Sequence, residues 1–383
     1  YKDDKVLFTI TAENLSEYET NLTDGQKAMF ASYPDTFKIP VYKSRRSHSA
    51  PKRINDNTKV NAINAKLTKT GNGVVDTYGG IPFPFPKSGL EAIWNHILHW
   101  RSEYVNLRTG EAAVQRNGDY VVVTSEQELA FDYYTAGSYE AMDNTIFRYI
   151  NTIKSPARLV GSAELVHEKL NQSEADGGSP RQAWVYNPGQ RRVRRAPNVA
   201  FDTPVDSSDG VITQDDVDMY NGSPKRYDWK LVGKKEIYIP YNNYKLQSEN
   251  LKYDDILKEG HINPEHTRYE LHRVWVVDAN LKEGERHLYT RRTFYLDEDS
   301  WRAVIVDKYS KRGELWRSSV SYLKNYYEVP TTWAALNVHR DLLAKTYYVS
   351  GLVNEEDATL DMSRKMPGEN HFTPSALRRM GRR

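Results

Sequence analysis

The chain has no cysteine in 383 residues. That excludes a disulfide framework, a thiolate metal site, an iron–sulfur cluster and a cysteine nucleophile. Charge of one dominant sign is also lacking: 53 Lys and Arg stand against 51 Asp and Glu, a formal net charge of +2. Binding to a phosphate backbone ordinarily shows as a marked basic excess, so nucleic acid is not an expected partner. No run approaches the roughly 18 consecutive apolar residues of a membrane-spanning helix. The sequence opens on Tyr1 with no charged-then-apolar leader ahead of it, as expected of a processed or truncated chain. What is abundant is the aromatic side chain, with 27 Tyr, 8 Trp and 10 Phe. That content is too high for a disordered polymer.

The first 115 residues read as helix and loop. Thr23-Asp24-Gly25-Gln26 has the form of a capping box and opens a short helix that must stop before Pro34. Residues 38–80 are polar, with Arg45, Arg46, Lys52 and Arg53, and are expected to run as an extended surface segment. In Ile81-Pro82-Phe83-Pro84-Phe85-Pro86 the alternating prolines forbid both helix and central strand, which predicts a wrapped loop presenting Phe83 and Phe85 on one side. Ser88-Gly89-Leu90-Glu91 then starts a helix whose stripe is Leu90, Ile93, Trp94, Ile97 and Leu98, continuing to Tyr104 and Val105. His96 and His99 lie off that stripe and are expected at a solvated rim, with a shared metal as the sharper alternative.

From Asp119 the period changes to two. Strands are predicted at 120–124, 146–153, 159–170, 183–186, 191–195, 229–240, 268–281, 286–296, 301–309 and 315–322, punctuated by turns such as Asn187-Pro188-Gly189 and Lys311-Arg312-Gly313. Strands joined by short turns make an antiparallel meander. In 268–281 the odd positions are largely apolar, while Arg268, Glu270, His272, Asp278 and Asn280 mark a face expected to be wet. A helix near Trp333–Leu343 and a polar, basic tail after Asp361 complete the reading. The expected fold is α+β: a large curved antiparallel sheet, a half-open barrel, wrapped over covering helices. Its parts are an N-terminal segment (1–115), the sheet (116–330) and a C-terminal helix and tail (331–383), in one compact domain overall. Such a shape leaves a cleft between sheet and helices.

Standard catalytic patterns are missing: no G-x-S-x-G, no phosphate loop, no H-E-x-x-H and no G-x-G-x-x-G after a strand. Asp206, Asp209, Asp215, Asp216 and Asp218 form the densest acidic group but lack the Gly and Glu of a calcium loop. The plain alternative is a polar loop whose carboxylates cap turns and pair with the arginines upstream. The run Arg191-Arg192-Val193-Arg194-Arg195 is either an ion-pair network with Asp202, Asp206, Asp209 and Asp228 or a place where an arginine meets an anionic headgroup. Strand aromatics such as Trp184, Trp229, Trp275, Phe294, Trp301 and Trp316 are most often core, although broad Tyr and Trp faces also line cavities for apolar molecules.

The segments Ala183–Tyr244, Gly79–Pro86 and His272–Arg317 resemble the Gram-negative domain-of-unknown-function family numbered 1329, and the resemblance runs from Tyr1 to about His371. The last segment is also similar to the hairpin pattern of outer-membrane lipoprotein-sorting (LolA/LolB-like) proteins, with a turn at Asp307–Leu315 slightly longer than usual. The resemblance implies a periplasmic protein, made with a signal peptide, holding a half-barrel sheet over helices and a cavity suited to acyl chains. It defines no catalytic set, metal or cofactor, and none is expected. The resulting expectation is a carrier or chaperone for a lipid or other hydrophobic ligand, not an enzyme, acting in envelope lipid or lipoprotein traffic. Transient membrane contact and an envelope transporter or outer-membrane protein as partner are part of that expectation. Phe83 and Phe85 stand at the mouth in this reading, Trp94 on the covering helix and Trp275 and Phe294 on the sheet, with Arg194 or Arg195 meeting a headgroup. The alternatives are a hydrolase of an envelope glycan or lipid, using Asp215, Asp216, Asp218 or His272, and a non-catalytic envelope assembly protein.

Overall fold

The computed structural model describes residues 4–196, 201–357 and 360–380. Two antiparallel meanders build it. The first runs β5 (Tyr104–Val114), β6 (Tyr120–Ala130), β7 (Thr145–Ser155), β8 (Ala163–Lys169), β9 (Gln182–Asn187) and β10 (Arg192–Arg195). The second runs β11 (Tyr227–Pro240), β12 (Tyr269–Leu281), β13 (Arg291–Asp297), β14 (Ala303–Tyr309), β15 (Leu315–Tyr326), β16 (Thr331–Asp341) and β17 (Thr346–Leu352). The last strand of the second meander, β17, pairs antiparallel with the first strand of the first, β5, with Tyr347 opposite Val114. With β1 (Val6–Ile10) and β2 (Ile39–Tyr42) they make one 15-stranded sheet, and a separate hairpin joins β3 (Lys66–Leu67) to β4 (Val74–Val75). β10 and β11 lie at opposite ends of the long antiparallel path and do not pair, so the sheet stays open. The α+β half-open architecture expected from the strand pattern is the one formed.

The predicted caps are real. Thr23 Oγ1 accepts from the Gln26 N–H (3.2 Å) while Gln26 Oε1 accepts from the Thr23 N–H (2.9 Å), starting the helix Asp24–Ser32. Ser88 accepts from the Glu91 N–H, and Glu91 reaches back to the Lys87 N–H (2.6 Å), starting the helix Gly89–Ile97. That helix lies on β11 and β12, so close that a Cβ on Gly89 would stand 2.7–2.8 Å from the Lys230 backbone. Ile93, Trp94 and Ile97 pack there with Val277, Ala279, Phe294 and Leu296. The helix ends at Ile97, and Tyr104 and Val105 belong to β5 instead of extending the stripe.

Several expectations are corrected. Residues 38–80 are not one extended segment: β2 and a helix, Lys52–Asn64, occupy much of it. Trp333–Leu343 is not helix, because its backbone is claimed from both sides by β15 and β17. The face of β12 expected to be wet is so only at its far end, where Asn280 is exposed and Asp278 half-buried. Arg268, Glu270 and His272 are buried, and Val274 and Val276 lie in a second core with Phe30, Phe37 and Ile10 from the N-terminal segment. The tail after Asp361 includes the helix Pro374–Met380, whose Leu377 joins Phe372 beneath the first meander against Leu165 and Tyr186.

Candidate functional site: a cavity over the first meander

One face of the first meander, extended by β16 and β17, lines a cavity of about 1040 Å³. Strand alternation accounts for the lining: Leu107, Thr109, Glu111 and Ala113 on β5, then Phe147, Tyr149, Asn151 and Ile153 on β7. Register arranges these residues in rows across the sheet. Leu129, Tyr149, Val166 and Ala183 lie opposite one another in one row, and Gln127, Asn151, Glu164 and Val185 in the next. The first row is apolar and the second polar. Exposed Val121, Val185 and Val217 are part of the same lining, together with exposed Gln115, Asp119, Arg158, Asp206 and Asp209, so the cavity opens to solvent past a rim of mixed polarity.

The far wall is the segment 203–221, folded back on itself by the Pro204–Thr213 bridge and the bond from the Val205 N–H to the Ile212 carbonyl (3.1 Å). The aspartates singled out in the sequence hold it in place. Asp215 pairs with Arg292 (2.5 Å) and His287 (3.1 Å), and Asp216 pairs with Lys308 (2.6 Å) and accepts from the Tyr289 hydroxyl (3.0 Å). Burial pushes the Asp216 carboxyl up, but Lys308 and Arg292 more than reverse this and hold it well below the usual carboxylate range. Burial lowers Lys308 itself to about 8. Asp218 is gripped by Arg101 (2.7 Å) and Arg302 (2.6 Å). The loop-and-ion-pair reading of Asp215, Asp216 and Asp218 therefore holds in kind, but the partners are not the arginines just upstream: the cations come from β13, β14 and the loops before β5 and β14. These pairings occupy the carboxylates that a hydrolase would have used.

His96 and His99 belong to the same construction and are buried, not at a solvated rim. Nδ1 of His96 accepts from the Ala303 N–H (3.0 Å), so the proton sits on Nε2, which donates to the Asp218 and Tyr220 carbonyls (3.1 and 3.2 Å). Burial lowers its pKa to about 4. His99 Nε2 accepts from Arg302 Nη1 (2.8 Å), which leaves it no free lone pair for a metal.

Two cavity glutamates carry no cation of their own. Glu111 accepts from the Tyr348 hydroxyl, and burial raises the pKa of both Glu111 and Glu164. Elsewhere, donor atoms of His272, Asp297 and Asp299 lie within 4.8 Å of one another, the spacing of a metal site. Local charge satisfies them already. Burial disfavours the His272 imidazolium, yet the nearby Asp297 carboxylate and the hydrogen-bonded Glu270 raise its pKa to about 9, and Asp299 binds Arg46.

None of the side chains singled out from the sequence as ligand-binding lines this cavity. Trp94 and Phe294 are fully buried between the covering helix and the second meander, which is packed solid there. Trp275 is half-buried, stacked on Trp301 with Lys234 over its ring. Phe83 and Phe85 do not share a side: Phe83 is buried, its backbone clamped by both amide atoms of Asn95, while Phe85 is 84% exposed. Arg194 and Arg195 are exposed on the edge strand, and no acid among the described residues pairs with the 191–195 run. Asp202 pairs with Arg226 instead. The alternation of Leu107, Thr109, Glu111 and Ala113 was the available signal for the true lining, obscured by Gly110 and the alanines beside it.

The sequence matches the family described as Protein of unknown function (DUF1329) over residues 9–378. It is 47% identical over 386 residues to the uncharacterized protein PA3922 of Pseudomonas aeruginosa, covering all of this chain and 83% of that one. Among solved structures, a DUF1329 family protein from Desulfovibrio piger is 14% identical with a TM-score of 0.47, covering 72% of this chain and 92% of that one. The LolA superfamily protein NE2245 from Nitrosomonas europaea is 12% identical with a TM-score of 0.42, covering 75% and 98%. By its sequence match along nearly its whole length, this chain belongs to the DUF1329 family.

Proposed function

We propose that the chain is a non-enzymatic periplasmic carrier that shelters an amphiphilic or hydrophobic molecule in the cavity over the first meander. The observation that carries the reading is that cavity: about 1040 Å³, open to solvent, and lined by apolar and polar residues in about equal measure, with an apolar row of Leu129, Tyr149, Val166 and Ala183 along its floor. Small-molecule sites reach about this size. Transfer of an alkyl chain from water into such a lining is favourable by roughly 0.8 kcal/mol per methylene. The open sheet supplies a long floor at fixed spacing, and the 203–221 segment supplies a wall held by buried ion pairs. The periplasmic setting in this proposal is the one that the resemblance to the family implies.

The test is native mass spectrometry of gently purified protein, followed by uptake of a fluorescent fatty acid. A co-purified lipid-sized mass, or saturable uptake at one site, is the expected result. A clean apo mass together with no uptake would remove the reading. Fractionation of cells producing the full-length precursor places the mature chain in the periplasmic extract if the setting is right.

A further inference from the structure

At one end of the cavity the charges do not balance. Arg101 and Arg302 both line it, both are buried, and they share one carboxylate, Asp218. The remaining contacts of the two guanidinium groups are neutral: Arg101 donates to the Ile97 carbonyl (2.9 Å) and Arg302 to the imidazole of His99. His96 and His99 are both held neutral by burial, so they add no charge. Arg181, close by on the lining, is matched one to one by Glu168. The Arg101–Asp218–Arg302 cluster therefore holds one positive charge in excess, while the glutamates without a cation, Glu111 and Glu164, line the cavity on β5 and β8. A buried charge without a counter-charge is strongly unfavourable. Burial pulls the Arg302 guanidinium below its ordinary range, and Asp218 does not restore it.

The apolar surroundings are continuous with this charge. The Arg101 guanidinium lies 5.7 Å from the Phe147 ring centroid, and that of Arg302 lies 5.7 Å from the Trp333 ring. Phe147 and Trp333 both face the cavity, and Leu129, Tyr149 and Val166 continue the apolar row beyond them. A site of this composition suits a molecule with one acidic group joined to an alkyl chain.

We infer that the Arg101–Asp218–Arg302 cluster is the headgroup subsite for an acidic amphiphile, a carboxylate or phosphate monoester, whose chain lies along the apolar row of the first meander. This inference rests on the carrier reading above and adds to it the sign of the headgroup and its place. The acidic group supplies the missing countercharge, and the two arginines supply charge-assisted donors once it is seated.

The experiment compares five probes on the full chain by titration calorimetry at neutral pH: dodecanoate, dodecyl phosphate, dodecanol, acetate and inorganic phosphate. The two acidic amphiphiles are expected to bind at least about tenfold more tightly than dodecanol, with the short anions far weaker. Arg101→Gln should bring dodecanoate and dodecanol together. If dodecanol binds as well as dodecanoate to the unaltered chain, the headgroup inference is overturned and the carrier reading survives. Failure of all three long-chain probes to bind overturns both. Acetate or phosphate binding as tightly as its dodecyl counterpart would show an anion site without an amphiphile, and would also overturn the inference. The probe comparison needs no variant, so a misfolded Arg101→Gln chain does not shield the proposal.

Discussion

His272 sits between Glu270, 2.7 Å from its Nε2, and Asp297, 3.6 Å from its Nδ1. Its pKa rises from 6.5 to about 9 on folding, because the two acids outweigh the burial that opposes the charge. A base whose pKa is raised on folding contributes its full stabilisation below the unfolded value and loses it as pH climbs through the folded one. Stability should therefore decline between pH 6.5 and about 9, by on the order of 3 kcal/mol. Thermal melts across that window should show the decline in the unaltered chain and a shallower one in His272→Gln; equal slopes would refute the assignment. The buried pair Asp216–Lys308 behaves differently, since removing one partner strands the other. Asp216→Asn is expected to lower unfolding stability in urea by about 3–5 kcal/mol. Arg194→Ala, at an exposed position, should change it by no more than about 0.5 kcal/mol.

Among the elements, the helix Gly89–Ile97 is the most legible and the most tightly fitted. Its cap, its stripe and its start are all written in Ser88–Leu98. Gly89 is required by the approach of the Lys230 backbone, so Gly89→Ala must push the helix away from β11. An overpacked contact of this kind costs about 1–3 kcal/mol, against about 1 kcal/mol for the lost cap in Ser88→Ala. Equilibrium denaturation of the two variants ranks them, and a harmless Gly89→Ala would mean that the helix rides higher than described. The ten strands read from alternation are also present, with moved ends. What escaped notice has physical causes. The helix Lys52–Asn64 buries only Ile54 and Asn61, so it has no apolar stripe to detect. Trp333-Ala334-Ala335-Leu336 has helix-forming composition, and only pairing with β15 makes it strand. The site was missed for a related reason: large aromatics such as Trp94 and Phe294 were filling a core, while smaller residues such as Leu107, Ala113 and Val123 bound the open space.

For the whole molecule, the division of labour between the two meanders is the main result. Apart from β16 and β17, which border the cavity, the second is covered on both faces, by the Gly89–Ile97 helix on one and the N-terminal segment on the other. The first is covered on one face by the C-terminal helix and leaves the other to the cavity. Filling the cavity should then impair binding without unfolding the chain. Ala113→Trp, on its floor, is expected to reduce fluorescent fatty acid uptake at least about tenfold while leaving the melting temperature within about 2 °C. Loss of both together would place Ala113 in a structural role instead.

The join between β17 and β5 bears on how the chain reaches this state. Tyr348 and Glu111, hydrogen-bonded across that join, are 237 residues apart in sequence. During synthesis or export, β5 presents an unpaired edge, and the cavity face has no β16 or β17 beside it, until nearly the whole chain has emerged. Such distant pairing is slow and leaves intermediates prone to association. Truncation before Thr331 should accordingly yield aggregate instead of a smaller soluble unit, and refolding of the intact chain from urea should be limited by the docking of its last two strands.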